Sequence, residues 1–454
     1  MIDFGLPDDL VELRDRVTKF IHEEIMPYEA DPRQEYHGPT EELRLELVAK
    51  SRAAGLLSPH GPVEFGGLGL NHVGMAVVFE AAGYSTLGPL ALNIQAPDEG
   101  NTNLLHQVAT QEQKERWLAP MVRGEIRSVF SMTEPDGAGS DPSLMRTEAR
   151  PDGDDYIING SKMFITNGLQ ADWMCCLCNT SDDGIHKNKS LIMIPMDTPG
   201  LKFICRDSVS VDGNLFDHPI SSRFDEQDAF VIFDDVEVPR ERLFIDENLE
   251  VYNLVMSTSW WPNIMQQTMI RAHTKLEFAR GLVIAMAGAI NRNQPPTQEM
   301  MGEIAMFTEF ARASVYAAEQ ASHDHGNGFW CCDVRPLMAL RAALTEWFPR
   351  VNEIIRRIGS HNLLTTPSRA ALDDPDLRPL IDTYLRGVGV DAEGRDRIFR
   401  LAWDFAGSAL GSRNEQYERF YLGSTGRALM SLHDLLDRGR TEDLVNRFLS
   451  EDFD

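Results

Sequence analysis

The chain has 454 residues, of which 43% are hydrophobic and 8% aromatic, and its 70 acidic and 43 basic residues give a formal net charge of −27. That is too much chain for one core, and the composition suits two or three globular units. The acidic excess argues against nucleic acid and anionic membranes, which select clustered Lys and Arg, and no apolar run approaches a membrane span. The first residues are acidic and carry no basic and apolar signal pattern, so a cytoplasmic location is expected. Six cysteines, falling as Cys175, Cys176 and Cys178, then Cys205, then Cys331 and Cys332, read as reduced and mostly buried, and no metal site is expected.

Residues 1–125 carry helical patterning. Leu10, Leu13, Val17 and Phe20 lie on one face, and Thr40 with Glu41 and Glu42 begins a second helix. A glycine-dense connector at 61–70 and an amphipathic helix from Gln111 follow. Residues 126–244 switch to short apolar runs bounded by Gly, Pro, Asn and Asp, the pattern of a compact β-domain of barrel or sandwich type. Residues 245–454 return to helical periodicity, with long segments at 264–290, 297–320, 335–358 and 393–417 that suit a bundle. The fold class is therefore α+β: helical domain, central β-domain, helical bundle.

Two segments carry most of the chemistry. Phe130-Ser-Met-Thr-Glu-Pro-Asp-Gly-Ala-Gly-Ser-Asp141 begins apolar and turns through Pro and Gly, which lets backbone N–H groups and small hydroxyls approach a flat or anionic ligand. Asn159-Gly-Ser-Lys-Met-Phe-Ile-Thr-Asn-Gly168 places an Asn-Gly turn between two strand-like runs. In this order and spacing the pair resembles the flavin wall of the acyl-CoA dehydrogenase superfamily. The resemblance implies bound FAD, with Phe130, Met132, Thr133, Phe164 and Thr166 at the flavin ring and Ser140 near flavin or the pantetheine of a thioester. Asn101-Thr-Asn-Leu-Leu-His106 extends that resemblance through the first 200 residues or so. Beyond about 215, Phe233-Asp-Asp-Val-Glu-Val-Pro-Arg-Glu-Arg-Leu-Phe244 and Leu401-Ala-Trp-Asp-Phe-Ala-Gly-Ser408 are similar to the 4-hydroxyphenylacetate 3-hydroxylases, flavin monooxygenases of the same three-part architecture.

The two resemblances agree on fold and flavin and differ on chemistry. A dehydrogenase needs a carboxylate over the thioester α-carbon. The matching turn reads Tyr421-Leu-Gly-Ser-Thr425, with Leu422 where that base would stand, so Glu415 and Glu418 are the substitutes nearest in sequence, beside their plainer reading as helix-surface charges. Arg292 is a candidate for a flavin phosphate, and Gly359-Ser360 for the FAD pyrophosphate or for a helix C-cap. Trp260 and Trp261 read as core or as a wall against which substrate stacks. The leading expectation is FAD-dependent oxidation of an acyl-CoA. The alternatives are a reduced-flavin-dependent monooxygenase acting on an aromatic substrate, and a partner subunit without chemistry. The resemblances imply an electron-transfer protein or a flavin reductase as partner and a homodimer or homotetramer as the assembly.

Overall fold

The computed structural model describes residues 5–137, 141–181, 189–211, 213–223, 225, 228–325 and 330–450. Helix α1 (Asp8–Phe20) buries Leu13, Val17 and Phe20, the face expected from their spacing. Helix α2 (Glu41–Ala53) starts where the Thr40 hydroxyl accepts from the Leu43 N–H at 3.3 Å, with Glu41 and Glu42 in its first turn and Lys50 and Arg52 in its last. Helices α3 (His72–Ala82) and α4 (Asp98–Val108) complete the part that the site uses.

Eight strands follow in one mixed sheet: β1 (Ser128–Ser131), β2 (Glu148–Asp152), β3 (Asp155–Thr166), β4 (Trp173–Asn179), β5 (Lys189–Pro195), β6 (Leu201–Cys205), β7 (Asp228–Pro239) and β8 (Leu243–Ile245). Their order is β8-β5-β4-β2-β3-β7-β6, with β1 running parallel to β4. β4 and β5 are apolar almost throughout because both of their faces are covered. Cys175 and Leu177 face one core, and Met174, Cys176 and Cys178 face the other. The cysteines are free thiols, all buried except the half-buried Cys205, and burial pushes Cys176 up to about 11, which keeps it protonated and unreactive.

One expectation fails inside this sheet. Asn159-Gly160 is not a hairpin turn but lies within the single 12-residue strand β3. Register shifts against β7 fall between Ile158 and Gly160 and between Lys162 and Ile165, so the dipeptide marks a bulge. Gly160 has φ +147°, and a Cβ there would meet the Thr147 hydroxyl oxygen at 2.5 Å, so glycine is required for this close approach.

The bundle is built on α5 (Trp261–Ala289), α6 (Pro295–Gln320) and α7 (Val334–Gly359). The segment expected as one helix over 393–417 divides into α8 (Ala392–Ala406) and α9 (Ala409–Phe420), because the Ser408 hydroxyl caps the second by accepting from Gly411 N–H. α10 (Thr425–Leu435) and α11 (Gly439–Leu449) end the described chain. Val17, Met75 and Phe79 share one core with Met265, Leu276, Phe348 and Ile355, so the first helices and the bundle are packed as a unit. Among the described residues no helix is long and apolar enough to cross a membrane.

Candidate functional site

The two motif segments meet at the end of the sheet. The Met163 N–H donates to the Thr133 carbonyl at 2.9 Å, a bond that the bulge in β3 leaves it free to make. The Lys162 ammonium lies on Glu134 Oε1 at 2.9 Å, the Met132 carbonyl at 3.0 Å and the Met145 sulfur at 2.9 Å. Lys162 is 0% exposed and Glu134 7%. The remaining capacity of Glu134 is filled by the N–H groups of Arg146 and Thr147, at 2.6 and 2.8 Å. Although burial opposes its charge, Lys162 and these donors hold Glu134 below its ordinary value. The pair thus locks one motif to the other. Neither residue was singled out from sequence, although both stand inside the quoted motifs. A Glu and a Lys amid apolar neighbours were the available signal.

Above this lock sit the residues expected at a flavin ring. Phe164 has φ +59° and is 62% exposed. A bulky aromatic held in left-handed backbone and facing solvent is a costly arrangement of the kind found at functional sites. Thr133 and Thr166 are half-buried beside it, and Met132 and Thr133 line a small hollow with Gly137, Asp141 and Met145. Ser140 lies outside the described residues.

Phe130 packs against Trp260, with ring centroids 5.0 Å apart and the planes tilted by 38°. Trp260 ends a π-helical turn, Met256–Trp260, at the head of α5. Pro262 has no N–H to donate to the preceding turn, and the helix is widened there, a feature frequent at functional sites. Trp261 packs instead against the shared helical core. Both tryptophans thus pack on apolar cores, Trp260 on the one that holds Leu104 and Trp117 and Trp261 on the shared helical one.

Behind that aromatic pair the structure reveals a group missed in the sequence. Glu99 of α4 is fully buried, and its carboxylate accepts from Asn263 Nδ2 at 2.5 Å and Asn103 Nδ2 at 3.0 Å. Burial pushes it up to about 7, against the two amide donors. Gly100, next in the chain, packs on the Trp260 indole: a Cβ there would lie 3.2 Å from Nε1. The neighbours of Glu99 fix its place. Asp98 accepts from the Ser128 N–H and hydroxyl, and Asn101 donates to the same hydroxyl at 2.9 Å, which ties α4 to β1.

The proposed substitutes for the missing base are engaged elsewhere. Glu418 accepts from both terminal guanidinium nitrogens of Arg271 and from Lys275 at 3.2 Å. Although burial opposes it, these cations pull Glu418 down to about 2, where it holds no proton at neutral pH and has little power to take one. Glu415 accepts from Asn352 Nδ2 at 2.8 Å, with Arg356 at 3.8 Å. Leu422 has φ +66° and packs on the helical core.

Arg292 is likewise committed. Its guanidinium donates to the carbonyls of Arg357 and Ile358, at 2.9 and 3.0 Å, and so caps α7. The adjacent Gly359 allows close packing, since a Cβ would lie 2.6 Å from Leu363 and 2.9 Å from Met286. Ser360 has φ +50° and its N–H donates to the Arg356 carbonyl at 2.8 Å. Of the two readings of Gly359-Ser360, the helix cap is the one these contacts express.

The bundle docks on the wall through charge. Asp228 stands opposite Thr166 in the strand register and accepts from Arg413 at 3.1 Å and Arg206 at 3.3 Å. Asp404 of α8 accepts from the N–H groups of Ile220 and Ser221, both at 2.7 Å.

Residues 7–125 match the acyl-CoA dehydrogenase N-terminal domain, 103–245 the N-terminal domain of 4-hydroxyphenylacetate 3-hydroxylase, and 251–450 its C-terminal domain. The hydroxylase match thus begins upstream of the flavin wall. The oxygenase component of 4-hydroxyphenylacetate 3-monooxygenase from Thermus thermophilus is 33% identical over 65% of this chain and 62% of its own length. A Mycobacterium tuberculosis protein named "Probable acyl-CoA dehydrogenase FadE2" is 35% identical over 45% of this chain and 52% of its own. These matches span only about half to three-fifths of the curated relatives' lengths. A solved 4-hydroxyphenylacetate 3-monooxygenase oxygenase component, complexed with FAD and 4-hydroxyphenylacetate, superposes with a TM-score of 0.73 at 25% identity, covering 97% of this chain and 98% of that one. The chain has an acyl-CoA dehydrogenase-like α+β fold, and its sequence is similar to the acyl-CoA dehydrogenase N-terminal domain at one end and to the two 4-hydroxyphenylacetate 3-hydroxylase domains over the rest.

Proposed function

We propose that this chain is the oxygenase component of a two-component, reduced-flavin-dependent monooxygenase acting on a phenol-type aromatic compound. The observation that carries the reading is the missing dehydrogenase base. Leu422 occupies its expected place, and Glu415 and Glu418 are bound to Asn352 and to Arg271 with Lys275. Oxygenation of a phenol needs no carboxylate over a thioester. The hydroxylase match over 251–450 supports the same choice, against the thioester oxidation favoured from sequence.

FAD suits the residues present. The exposed, left-handed Phe164 offers a ring face, and Thr133 and Thr166 offer hydroxyls on either side of the Met163–Thr133 bond. When bound, reduced FAD supplies the electrons that activate dioxygen. The chain's own residues orient and shield. Phe130 and Trp260 exclude water and stack an aromatic ring. Glu99, poised near neutrality, exchanges a proton with the phenolic hydroxyl through its carboxyl oxygen. Oxidation of acyl-CoA remains the second reading because of the dehydrogenase-type N-terminal domain.

A separate flavin reductase completes the system, in the cytoplasm. The chain acts as a homodimer or homotetramer, since Leu444, Val445 and Phe448 of α11 are 58%, 57% and 57% exposed, an apolar stripe that suits a second copy. The test compares affinities for reduced and oxidised FAD and follows a phenol panel for catechol formation. Tighter binding of the reduced form with catechol product supports the proposal. Tight oxidised FAD, bleached anaerobically by an acyl-CoA, would replace it with the second reading.

A further inference from the structure

Away from the wall, α3, α5 and α6 meet around a polar cluster that the flavin chemistry leaves unused. Glu80 of α3 and His273 and Glu277 of α5 each present one ligand-capable atom, all within 4.8 Å of one another. His273 and Glu277 are one helical turn apart and so share a face. Successive helix positions turn through about 100°, so this face lies opposite the one that carries Lys275 toward Glu418. His273 is 7% exposed, and its Nε2 has no hydrogen-bond partner, an expensive condition for a buried imidazole. The Tyr84 hydroxyl donates to one Glu277 oxygen at 2.8 Å. Glu319 of α6 stands beside Glu80 with its Oε1 buried and unpartnered, and burial with the Glu80 charge pushes it up to about 8. Burial likewise raises Glu80, although His273 and Arg14 act against it. Arg14 is itself bonded to Asp15 at 3.0 Å.

We propose that Glu80, His273 and Glu277 form a binding site for a divalent first-row transition ion of the zinc or manganese kind, with Glu319 as a further carboxylate at its edge. One imidazole and two or three carboxylates make a borderline nitrogen and oxygen set, which suits Zn(II), Mn(II) or Fe(II) better than Mg(II) or Ca(II). Zinc bonds of 2.0–2.1 Å put ligand atoms about 3.3 Å apart in a tetrahedron. The present spread therefore closes by modest rotation of Glu80 and Glu277, which are long and half-buried, around a fixed imidazole. A bound dication ends the isolation of Nε2 and stabilises carboxylates that burial otherwise protonates. Its position makes it a structural clip between the N-terminal helices and the bundle, independent of the flavin chemistry.

The experiment uses full-length protein without a polyhistidine tag, stripped with chelator and titrated calorimetrically with Zn(II) and with Mn(II). Cobalt(II) absorption reports the ligand geometry. The expected result is one ion per chain, tetrahedral or five-coordinate cobalt bands, and a melting temperature raised by the ion. His273→Ala lowers the affinity by more than about a hundredfold and loses the cobalt bands and the thermal shift. Should His273→Ala not fold, Glu277→Gln reads the same quantities. Wild-type protein that takes up no stoichiometric ion, or binding unchanged by these substitutions, overturns the proposal.

Discussion

Glu418 in the bundle and Glu99 beside the wall are both buried carboxyls, 5% and 0% exposed, yet they are set at opposite ends of the scale. Glu418 lies among cations, Arg271 and Lys275, and is drawn down to about 2. Glu99 has two neutral amides and no cation, and burial pushes it up to about 7. A buried carboxylate matched by cations is a structural element, because breaking the match strands a charge. One held by amides alone changes protonation near neutrality and is suited to move a proton. Glu134 with Lys162 belongs to the first kind, and it stands in the wall itself.

The sharpest way to break this contrast is to neutralise each carboxyl in turn. Glu99→Gln is expected to lower the oxygenation rate by roughly a hundred- to ten-thousandfold and to remove an inflection near pH 7 from the rate profile. Its stability follows the opposite course from a salt bridge. With a folded pKa above the unfolded value of about 4.3, Glu99 contributes most below that pH and loses the contribution as pH rises through 7. Denaturation at several pH values should therefore show a downward slope between about pH 4.3 and 7 that Glu99→Gln flattens. A variant with full rate and unchanged slope would make Glu99 a structural carboxyl like the others.

Glu418→Gln should instead lose about 3–5 kcal/mol of stability, since Arg271 and Lys275 are left without their anion, while its rate at low temperature stays within roughly tenfold. In the wild type the Glu418 contribution is full above about pH 4.3 and is lost as pH falls toward 2, its folded value being depressed. Urea titration beside initial rates separates the two effects, and a rate collapse in a stable variant would return Glu418 to the list of bases. Lys162→Met should cost a similar 3–5 kcal/mol and, because it unlocks Met132 and Glu134 from β3, should also release FAD. Equal stability and FAD retention would contradict the lock. The smallest expected effect is at the ring itself. Thr166→Val removes about 1 kcal/mol of hydrogen bonding and weakens FAD retention by roughly five- to tenfold, read by fluorescence titration.

Helices with clean periodicity, such as α1, or with a capping residue, such as α2, were legible because local spacing determines them. The wall was legible as two motifs, while the contact that joins them was not. Lys162 and Glu134 are 28 residues apart, and a pairing across strands leaves no periodic trace. Asn159-Gly160 misled because the same dipeptide serves a hairpin turn and a bulge, and the choice rests with Thr147, just ahead of the neighbouring strand. Arg292, Glu415 and Glu418 were chosen by proximity in sequence to expected positions, and each is held by a residue distant in the chain: the end of α7, Asn352, and Arg271. Glu99 was missed because an acid in the first turn of a helix usually serves the helix dipole. Only its burial and the amides of Asn263 and Asn103 distinguish it from Glu41.

The central claim is that oxygen from dioxygen enters an aromatic substrate. The most direct measurement supplies the protein with chemically reduced FAD, isotopically heavy dioxygen and a panel of phenols, and weighs the products. The account predicts catechols carrying one heavy oxygen atom, at a rate that collapses in Glu99→Gln. Phenols recovered unchanged, from protein whose oxidised flavin an acyl-CoA bleaches without air, would contradict it.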